Sequence, residues 1–333
     1  MPPNVRGRVP GPTGAEGRIP EFGGFRPRGN RRHGPLRAPE RTLLAQLTPE
    51  ESPETATDAT AAGSEIRLVE PSPVAGQPTA LEDYDFPLFS SQGTPTAEDV
   101  VQGNLDNCPV AATLAALAHA RPEAIQNMIS ERHARVRSRV AGDPPGRYPH
   151  ESRRLITVRL PAGEPVQVSG LLWRMWGNVA YARSASGSIS WMSYIEKAYA
   201  ARLRGGYQTL SQVGRNEPGV PDTREVFAAL AGSWMMAYLV EDTLFRADGS
   251  ADALRAGTLE ELLAQSQARP TIAASRSELP PEGPIEANHS YAVLGFRRGA
   301  VQLRNPRGGA HATFQIPFEL FRQAFQAVLQ TED

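Results

Sequence analysis

The sequence predicts an α+β protein of two lobes behind a disordered N-terminal leader. Proline and segregated charge dominate the first 96 residues, where no helical or strand period persists. An Ala/Leu-rich helical run follows, and strand-like runs crowd the C-terminal third. At 333 residues the chain has the length of about two average domains. These features predict a helix-rich first lobe and a second lobe built on a sheet or barrel.

The leader is divided by charge. Residues 1–42 carry nine arginines against three glutamates, and residues 43–100 carry one arginine against eleven acids. Fifteen of the 30 prolines lie in the first hundred residues. Such a segment cannot bury enough apolar surface to offset the entropy lost on ordering. We therefore predict a disordered leader over residues 1–96 and a folded domain over residues 97–331.

The first predicted lobe, residues 97–213, opens with an Ala/Leu-rich helix over Cys108–Ala120. Asn107 can cap this helix, and Pro109 is tolerated in its first turn. Two strands and a second helix complete the lobe, over Arg154–Leu160, Glu164–Ser169 and Ser190–Leu203.

The second predicted lobe, residues 214–331, is richer in strands. Its expected strands are Ser233–Val240, Pro270–Ala274, Ser290–Phe296 and Val301–Arg304, the last two forming a hairpin. Its expected helices are Thr223–Ala231, a helix from Thr258 to Gln267 with Thr258 and Glu261 as a capping box, and an amphipathic helix over Phe314–Val328.

Composition limits the classes of protein. A net charge of −1 and a pI near 6.6 argue against nucleic acid as a partner bound through bulk charge. One cysteine excludes an internal disulfide framework and a cysteine-cluster metal site. There is no apolar run of membrane-spanning length, and the N-terminus lacks the apolar segment of a secretory signal. We expect a monomer that is cytoplasmic, or is secreted by a route without a cleaved signal peptide.

The single thiol, Cys108, stands at the predicted start of the first helix. Unpaired backbone N–H groups and the positive end of the helix dipole favour the thiolate there, which is the nucleophilic form. A lone cysteine is also a common buried filler of apolar cores. The local sequence leaves both interpretations open.

Six histidines can act as the general acid and base beside this thiol. His289 stands between a Pro-rich loop, Ser275–Ala287, and the apolar strand SYAVLGF, so the sheet can hold it while its ring faces a cleft. We expect the other histidines in less suitable places: His33 in the leader, His150 in a Pro-rich loop, His119 and His133 on helix surfaces, and His311 in a Gly-Ala-rich turn.

Asn305 ends the next strand of the same hairpin, 16 residues after His289. Antiparallel pairing brings the start of one strand and the end of the next to the same sheet edge. Asn305 can therefore orient the imidazole through its far nitrogen. Asn-Pro-x-Gly is also an ordinary turn sequence, but the placement of His289 favours the orienting role.

Four motifs in this order resemble the calpain-like branch of the papain-like cysteine proteases. The resemblance covers residues 97–328 and none of the leader, and it implies a papain-like fold of two lobes. The motifs are Gln102-Gly103 before Cys108 and its helix, Trp191 followed by Ile195-Glu196-Lys197-Ala198-Tyr199-Ala200, the strand start His289-Ser290-Tyr291-Ala292-Val293, and Arg304-Asn305-Pro306-Arg307-Gly308.

The resemblance implies a cysteine endopeptidase that cleaves protein or peptide substrates. Cys108 is then the nucleophile, His289 the acid and base, and Asn305 the residue that orients the ring. Gln102 is the side-chain donor of the oxyanion hole, and the backbone N–H of Cys108 is the second donor. Three residues of the second motif are implied to be packing residues only: Glu196, Lys197 and Tyr199.

The sequence departs from the family near the site. Asp106-Asn107 stand where the family has Gly-Asp, Pro109 where it has an aromatic residue, and Arg307 where it has the tryptophan of Asn-Pro-Trp-Gly. In animal calpains that tryptophan is tied to calcium-controlled closure, and this chain has no EF-hand loop. We expect no cofactor, and no requirement for calcium although the resemblance leaves its binding open.

Two alternative functions use the same residues. A catalytically inactive calpain-like module would bind a partner through its cleft, and a glutamine deamidase or transamidase would share the first half-reaction. Calpain-like domains behind disordered leaders occur in bacterial proteins, including secreted effectors and toxins. The resemblance therefore suggests a bacterial protein, with a secreted effector or toxin as one setting.

Overall fold

The structure, a computed structural model, describes residues 65–77, 80–215, 217–255, 257–281 and 283–332. The predicted leader up to residue 64 lies outside the described residues. The described chain mixes helices with several sheets, which confirms the α+β class. No helix within these ranges is long and apolar enough to cross a membrane.

The strands, in chain order, are β1 Ile66–Glu70, β2 Ala80–Asp83, β3 Val100–Val101, β4 Ile129–Val140, β5 His150–Val158, β6 Val166–Ser169, β7 Leu171–Met175, β8 Asn178–Val179, β9 Arg183–Ser184, β10 Trp234–Tyr238, β11 Thr243–Arg246, β12 Ala251–Ala253, β13 Thr271–Ser275, β14 Ser290–Arg297, β15 Ala300–Arg304, β16 Thr313–Pro317 and β17 Phe325–Thr331. The helices are α1 Cys108–Ala120, α2 Pro122–Met128, α3 Trp191–Arg202, α4 Tyr207–Leu210, α5 Thr223–Ala231, α6 Thr258–Gln265 and α7 Phe318–Ala324.

The largest sheet contains the C-terminal part of the chain. Its eight strands run in the order β12-β11-β10-β17-β13-β14-β15-β16, and every neighbouring pair is antiparallel. Ala292 and Leu294 of β14 join the core that contains α1, whereas Tyr291 and Val293 join the core that contains α6 and α7. Alternate side chains point to opposite faces of a strand, so both faces of this sheet are buried at β14.

The N-terminal part contains more strand than the predicted helix-rich lobe. β1, β4, β5 and β6 form a four-stranded sheet in the order β1-β4-β5-β6, with β1 parallel to β4. The long β4 was not predicted, because its sequence ISERHARVRSRV contains five charged residues and few apolar ones. His133 lies on β4 rather than on a helix surface, and His150 begins β5 rather than lying in a loop.

β1 and β2 lie inside the segment that we expected to belong to the leader, so that boundary is too late in the chain. Glu70 at the end of β1 forms a buried ion pair with Lys197 of α3, with 2.6 Å between Oε2 and Nζ. Lys197 also donates to the carbonyl oxygens of Ser169, at 3.0 Å, and Leu171, at 2.6 Å. A buried ammonium group needs such partners, and its carboxylate comes from the segment before residue 97.

The predicted C-terminal helix over Phe314–Val328 is wrong. The segment forms β16, the short helix α7 and β17. Its phenylalanines recur at helical spacing, but β17 lies in the middle of the large sheet and pairs with both β10 and β13. Hydrogen bonds on both edges of β17 outweigh the local helical period.

Two predicted helix caps are also wrong. The side chain of Asn107 makes no capping bond to α1 and donates to the carboxylate of Glu196 instead. Thr258 is the first residue of α6, and Gly257, at φ 89°, precedes it in the left-handed conformation. The helices over Cys108–Ala120 and Thr223–Ala231 have the predicted limits.

Candidate active site

Cys108 is the first residue of α1, a helix whose residues are buried as far as Ala118. Small alanine side chains let this helix pack closely against β13, β14 and α5. The thiol is 7% exposed, and its Sγ accepts a hydrogen bond from the backbone N–H of Ser290 at 3.4 Å. The first residue of β14 therefore holds the sulfur beside the residue that precedes it, His289.

The loop before Cys108 is fixed by close backbone packing. A Cβ at Gly103 would lie 2.2 Å from the carbonyl oxygen of Tyr181, so only glycine fits there. The N–H of Asn104 donates to the carbonyl of Ala180 at 2.9 Å. Gly103 is therefore required for a steric reason, in addition to the chemical role expected of Gln102.

Glu196 of α3 joins the two segments of this loop region. Its Oε1 accepts from Asn107 Nδ2 at 2.6 Å, and its Oε2 accepts from the N–H of Ala182 at 2.8 Å. The implied packing role of Glu196 is therefore incomplete, since its carboxylate also positions the residue before Cys108. Burial raises the pKa of Glu196 to about 7, although both donors oppose the shift.

His289 is held at the start of β14 by its backbone. Asn288 has a φ of 52°, a left-handed conformation that asparagine tolerates better than most residues. The N–H of His289 donates to Ser275 Oγ at 2.9 Å, and the ring meets Tyr291 edge to face at 5.0 Å between centroids. At 4% exposure the imidazole is nearly enclosed.

Asn305 meets the ring as the hairpin topology predicts. His289 Nε2 lies 2.9 Å from Asn305 Oδ1. Asn305 Nδ2 donates to Glu286 Oε1 at 2.7 Å, and the N–H of Arg307 donates to Oδ1 at 3.0 Å. Because Oδ1 only accepts, Nε2 carries the ring proton, and Nδ1 is left as the basic nitrogen.

Gln102 is brought to the same motif by its backbone. Its N–H donates to the carbonyl of Pro306 at 2.8 Å. Its side chain is 2% exposed, and Nε2 donates one hydrogen to the Leu105 carbonyl at 2.6 Å. An amide nitrogen carries two hydrogens, so one remains for the expected oxyanion role.

Arg304 ties the C-terminal motif to the segment before Gln102. Its buried guanidinium donates through Nη2 to the carbonyls of Glu98, at 3.1 Å, and Val100, at 3.2 Å. Burial lowers the pKa of Arg304, and the nearby acids Glu98 and Asp99 oppose this shift. The segments that carry Gln102 and Asn305 are thus linked directly.

Burial dominates the proton affinities at the site. It raises the pKa of Cys108 to about 11, although the Ser290 N–H opposes this. Burial also lowers the pKa of His289, and the bond to Asn305 and the charge of Glu286 oppose that shift. Burial therefore opposes the expected lowering of the thiol pKa at a helix start.

Sequence reasoning missed two contributors to this site. Glu286 lies three residues before His289 in a loop that holds other glutamates, and no local signal distinguishes it. Ser275 follows an apolar strand like many serines, yet its hydroxyl bonds the backbone of both Glu286 and His289. Both contacts depend on how the loop folds back.

The described ranges contain no group of three or more His, Cys, Asp or Glu side chains that could hold a metal ion. The residues present thus do not match a carboxylate-rich calcium site of the kind that calcium prefers. We derive no step of the chemistry through calcium.

Comparison with known proteins gives the family of the chain. A search of curated proteins finds no significant match. The family model described as calpain family cysteine protease matches residues 78–316, which include Gln102, Cys108, His289 and Asn305. The match spans well over half of the chain, and on this ground the chain belongs to the calpain family of cysteine proteases.

Proposed function

We propose that the protein is a cysteine endopeptidase that cleaves protein substrates through Cys108, His289 and Asn305. One observation carries the proposal. The sulfur of Cys108 accepts the N–H of Ser290, and the adjacent imidazole of His289 is bonded to Asn305. A buried structural cysteine needs no such partners, so the filler interpretation of Cys108 loses its support.

Proton transfer accompanies attack in the proposed cycle. Nδ1 of His289 takes the thiol proton as Sγ attacks the peptide carbonyl. Gln102 Nε2 and the N–H of Cys108, which as the first helical residue has no intrahelical acceptor, stabilise the oxyanion. The C–N bond then breaks, His289 returns the proton to the departing amine, and water hydrolyses the thioester.

The first test is Cys108→Ala. We expect this variant to lose all hydrolysis of a denatured protein substrate while its circular dichroism and melting temperature stay near those of the wild type. Thr113→Val in the same buried helix is the control, since it replaces only the hydroxyl that bonds the Pro109 carbonyl with a methyl group. Wild-type activity in Cys108→Ala would refute the proposal.

Product analysis separates this activity from the other acyl transfers. New N-termini in the substrate indicate proteolysis, whereas ammonia release without chain cleavage indicates deamidation or transamidation. Absence of both turnover and alkylation of Cys108 by iodoacetamide near neutral pH would instead indicate a binding module. A cleavage-site survey of wild type against Cys108→Ala then gives the substrate preference.

We further propose that the activity is independent of calcium. Arg307 occupies the position of the tryptophan tied to calcium-controlled closure in animal calpains. Activity in EGTA equal to that in millimolar calcium is the expected result. Restoration of activity only by calcium would show that the resemblance to animal calpains extends to their gating.

For the setting we propose a secreted bacterial effector or toxin that acts on proteins of a target cell. The support is the charge-segregated leader and the near absence of lysine, with one lysine among 35 basic residues. Expression of wild type and Cys108→Ala in a target cell tests it. Equal toxicity of the two would argue against a proteolytic effector.

A further inference from the structure

We propose that Glu286 is a positioning residue for the imidazole of His289, acting through the amide of Asn305, with Arg307 as its counter-ion. The inference rests on the proposed function and deepens it. It extends the three-residue arrangement by two residues, neither of which touches the thiol by a hydrogen bond in the described structure.

The direction of each hydrogen bond supports this role. A carboxylate only accepts hydrogen bonds, so Glu286 forces the donor end of the Asn305 amide towards itself. The acceptor end then faces His289 Nε2, where the N–H of Arg307 also needs an acceptor. A rotated amide would put a donor against Nε2 and favour the tautomer that has no base on the thiol side. Glu286 therefore selects the useful tautomer of His289.

The backbones of Glu286 and His289 are held by the same serine. The N–H of Glu286 donates to the hydroxyl of Tyr291 at 2.7 Å, and its carbonyl accepts from Ser275 Oγ at 2.6 Å. That serine hydroxyl also accepts from the N–H of His289 at 2.9 Å. One buried serine thus fixes the spacing between Glu286 and His289.

Arg307 holds the second oxygen of the carboxylate. Its Nε donates to Glu286 Oε2 at 2.9 Å, with side chains that are 53% and 42% exposed. A pair this exposed contributes little to stability. Its consequence is local, because it leaves Oε1 for Asn305 and places a cation near the thiol and the imidazole.

The two charges act on His289 with opposite sign. Glu286 raises the pKa of His289 and Arg307 lowers it, while burial remains the largest influence and lowers it. Partial burial raises the pKa of Glu286, but Asn305, His289 and Arg307 together hold it below its ordinary value. From the loop before α1, Asp106 also raises the pKa of His289, and it is paired with Arg215 at 2.7 Å.

The test compares Glu286→Gln and Arg307→Gln with Glu278→Gln, an exposed glutamate of the same loop. The active form has one proton shared between Cys108 and His289, so both limbs of the pH profile of kcat/KM move together. Removing the anion should move both limbs to lower pH, and removing the cation to higher pH, each by about 0.5 to 1 pH unit. Glu278→Gln should leave both limbs in place.

The separate effects on kcat and KM give a second test beside the shift of the pH profile. Glu286→Ala should lower kcat roughly 10- to 100-fold with little change in KM, as expected when a residue that orients a functional group is lost. Glu286→Gln should recover part of that loss, because its amide oxygen can still accept from Asn305. Unshifted limbs in both charge variants, or shifts in the same direction, would overturn the proposal.

Iodoacetamide alkylation keeps this test separate from the proposed function. The alkylation rate of Cys108 depends on the same proton equilibria but needs no peptide turnover. Opposite shifts of the alkylation profile in Glu286→Gln and Arg307→Gln support the positioning role even if no substrate is cleaved. Substrate turnover with unshifted pH profiles in both variants would support the endopeptidase activity and reject the positioning role of Glu286 and Arg307. If one of the two charge variants fails to fold, the direction of the shift in the other still tests the proposal.

Discussion

At the level of single side chains, Cys108 experiences two opposing influences. The start of a helix favours a thiolate, whereas enclosure of the sulfur favours a neutral thiol, and the pKa of about 11 shows that enclosure is stronger. The imidazole is affected in the complementary way, since burial lowers the pKa of His289. Burial therefore favours the uncharged form of both side chains.

Gln102 gives a prediction about that developing charge. Gln102→Ala should lower kcat by about 10²- to 10³-fold with KM nearly unchanged, because an oxyanion donor acts mainly in the transition state. Steady-state kinetics on a peptide substrate measure both constants. Gln126→Ala is the control, since Gln126 also donates Nε2 to a backbone carbonyl, that of Gly93, but lies on exposed α2. Equal losses in both variants would mean that Gln102 only supports the fold.

Hairpin geometry explains why part of the site could be predicted. His289 and Asn305 flank two paired strands, and the pairing Ala292 with Arg304 places them at one edge. Glu286 could not be predicted, because its backbone accepts a hydrogen bond from Ser275 and donates one to Tyr291 across a loop. Contacts set by strand register are visible in sequence, and contacts set by loop path are not.

Among the elements, α3 connects two distant parts of the fold through consecutive residues. Glu196 bonds the loop before Cys108, and Lys197 bonds β1 and the turn between β6 and β7. The carboxylate of Glu196 is buried and is satisfied by two N–H donors. Its charge consequently opposes folding at high pH.

Glu196→Gln tests that charge. The pKa of Glu196 is about 7 in the folded chain against an ordinary value of 4.5, so the folded state holds the extra proton between these values. Stability then falls as pH rises from 5 to 8. Urea unfolding at both pH values should show a smaller fall for Glu196→Gln than for wild type. Glu123→Gln, exposed on α2, should keep the wild-type difference; an unchanged fall in Glu196→Gln would contradict the assignment.

The elements also show where local pattern is an insufficient guide. The runs that became α1 and α5 have the predicted limits because small and apolar residues there meet other elements on several sides. The segment from Phe314 to Phe325 has phenylalanine at helical spacing, yet β17, which begins at the last of these residues, pairs on both edges. Pairing partners that lie about 50 residues or more away in the chain decided its conformation, and no short window contains them.

At the scale of the whole molecule, β1 and β2, which precede residue 97, are part of the folded domain. β1 pairs with β4, β2 pairs with β7, and Glu70 is the carboxylate partner of the buried Lys197. The sequence suggested a leader there because proline and acidic residues continue to residue 99. Strand pairing and this buried ion pair together make β1 and β2 structural, although the sequence around them resembles a leader.

Truncation tests this conclusion. A chain of residues 97–333 should lose at least about 3–5 kcal/mol of unfolding free energy relative to residues 65–333, because an ammonium group is left buried without its carboxylate. Chemical denaturation measures the difference. Lys197→Met should partly rescue the shorter chain but destabilise the longer one, where it leaves Glu70 unpaired. The same sign in both chains would show that the ion pair is not the cause.

The enclosure of Lys197 has a further chemical consequence. The chain has one ε-amine, and it is 0% exposed. Reagents and enzymes that acylate amines, or join polypeptides through isopeptide bonds, therefore find no reactive ε-nitrogen on the native surface. Acylation of Lys197 requires the core to open, so its rate would measure how often that opening occurs. While the protein stays folded, amine-modifying enzymes therefore leave its ε-amine unmodified.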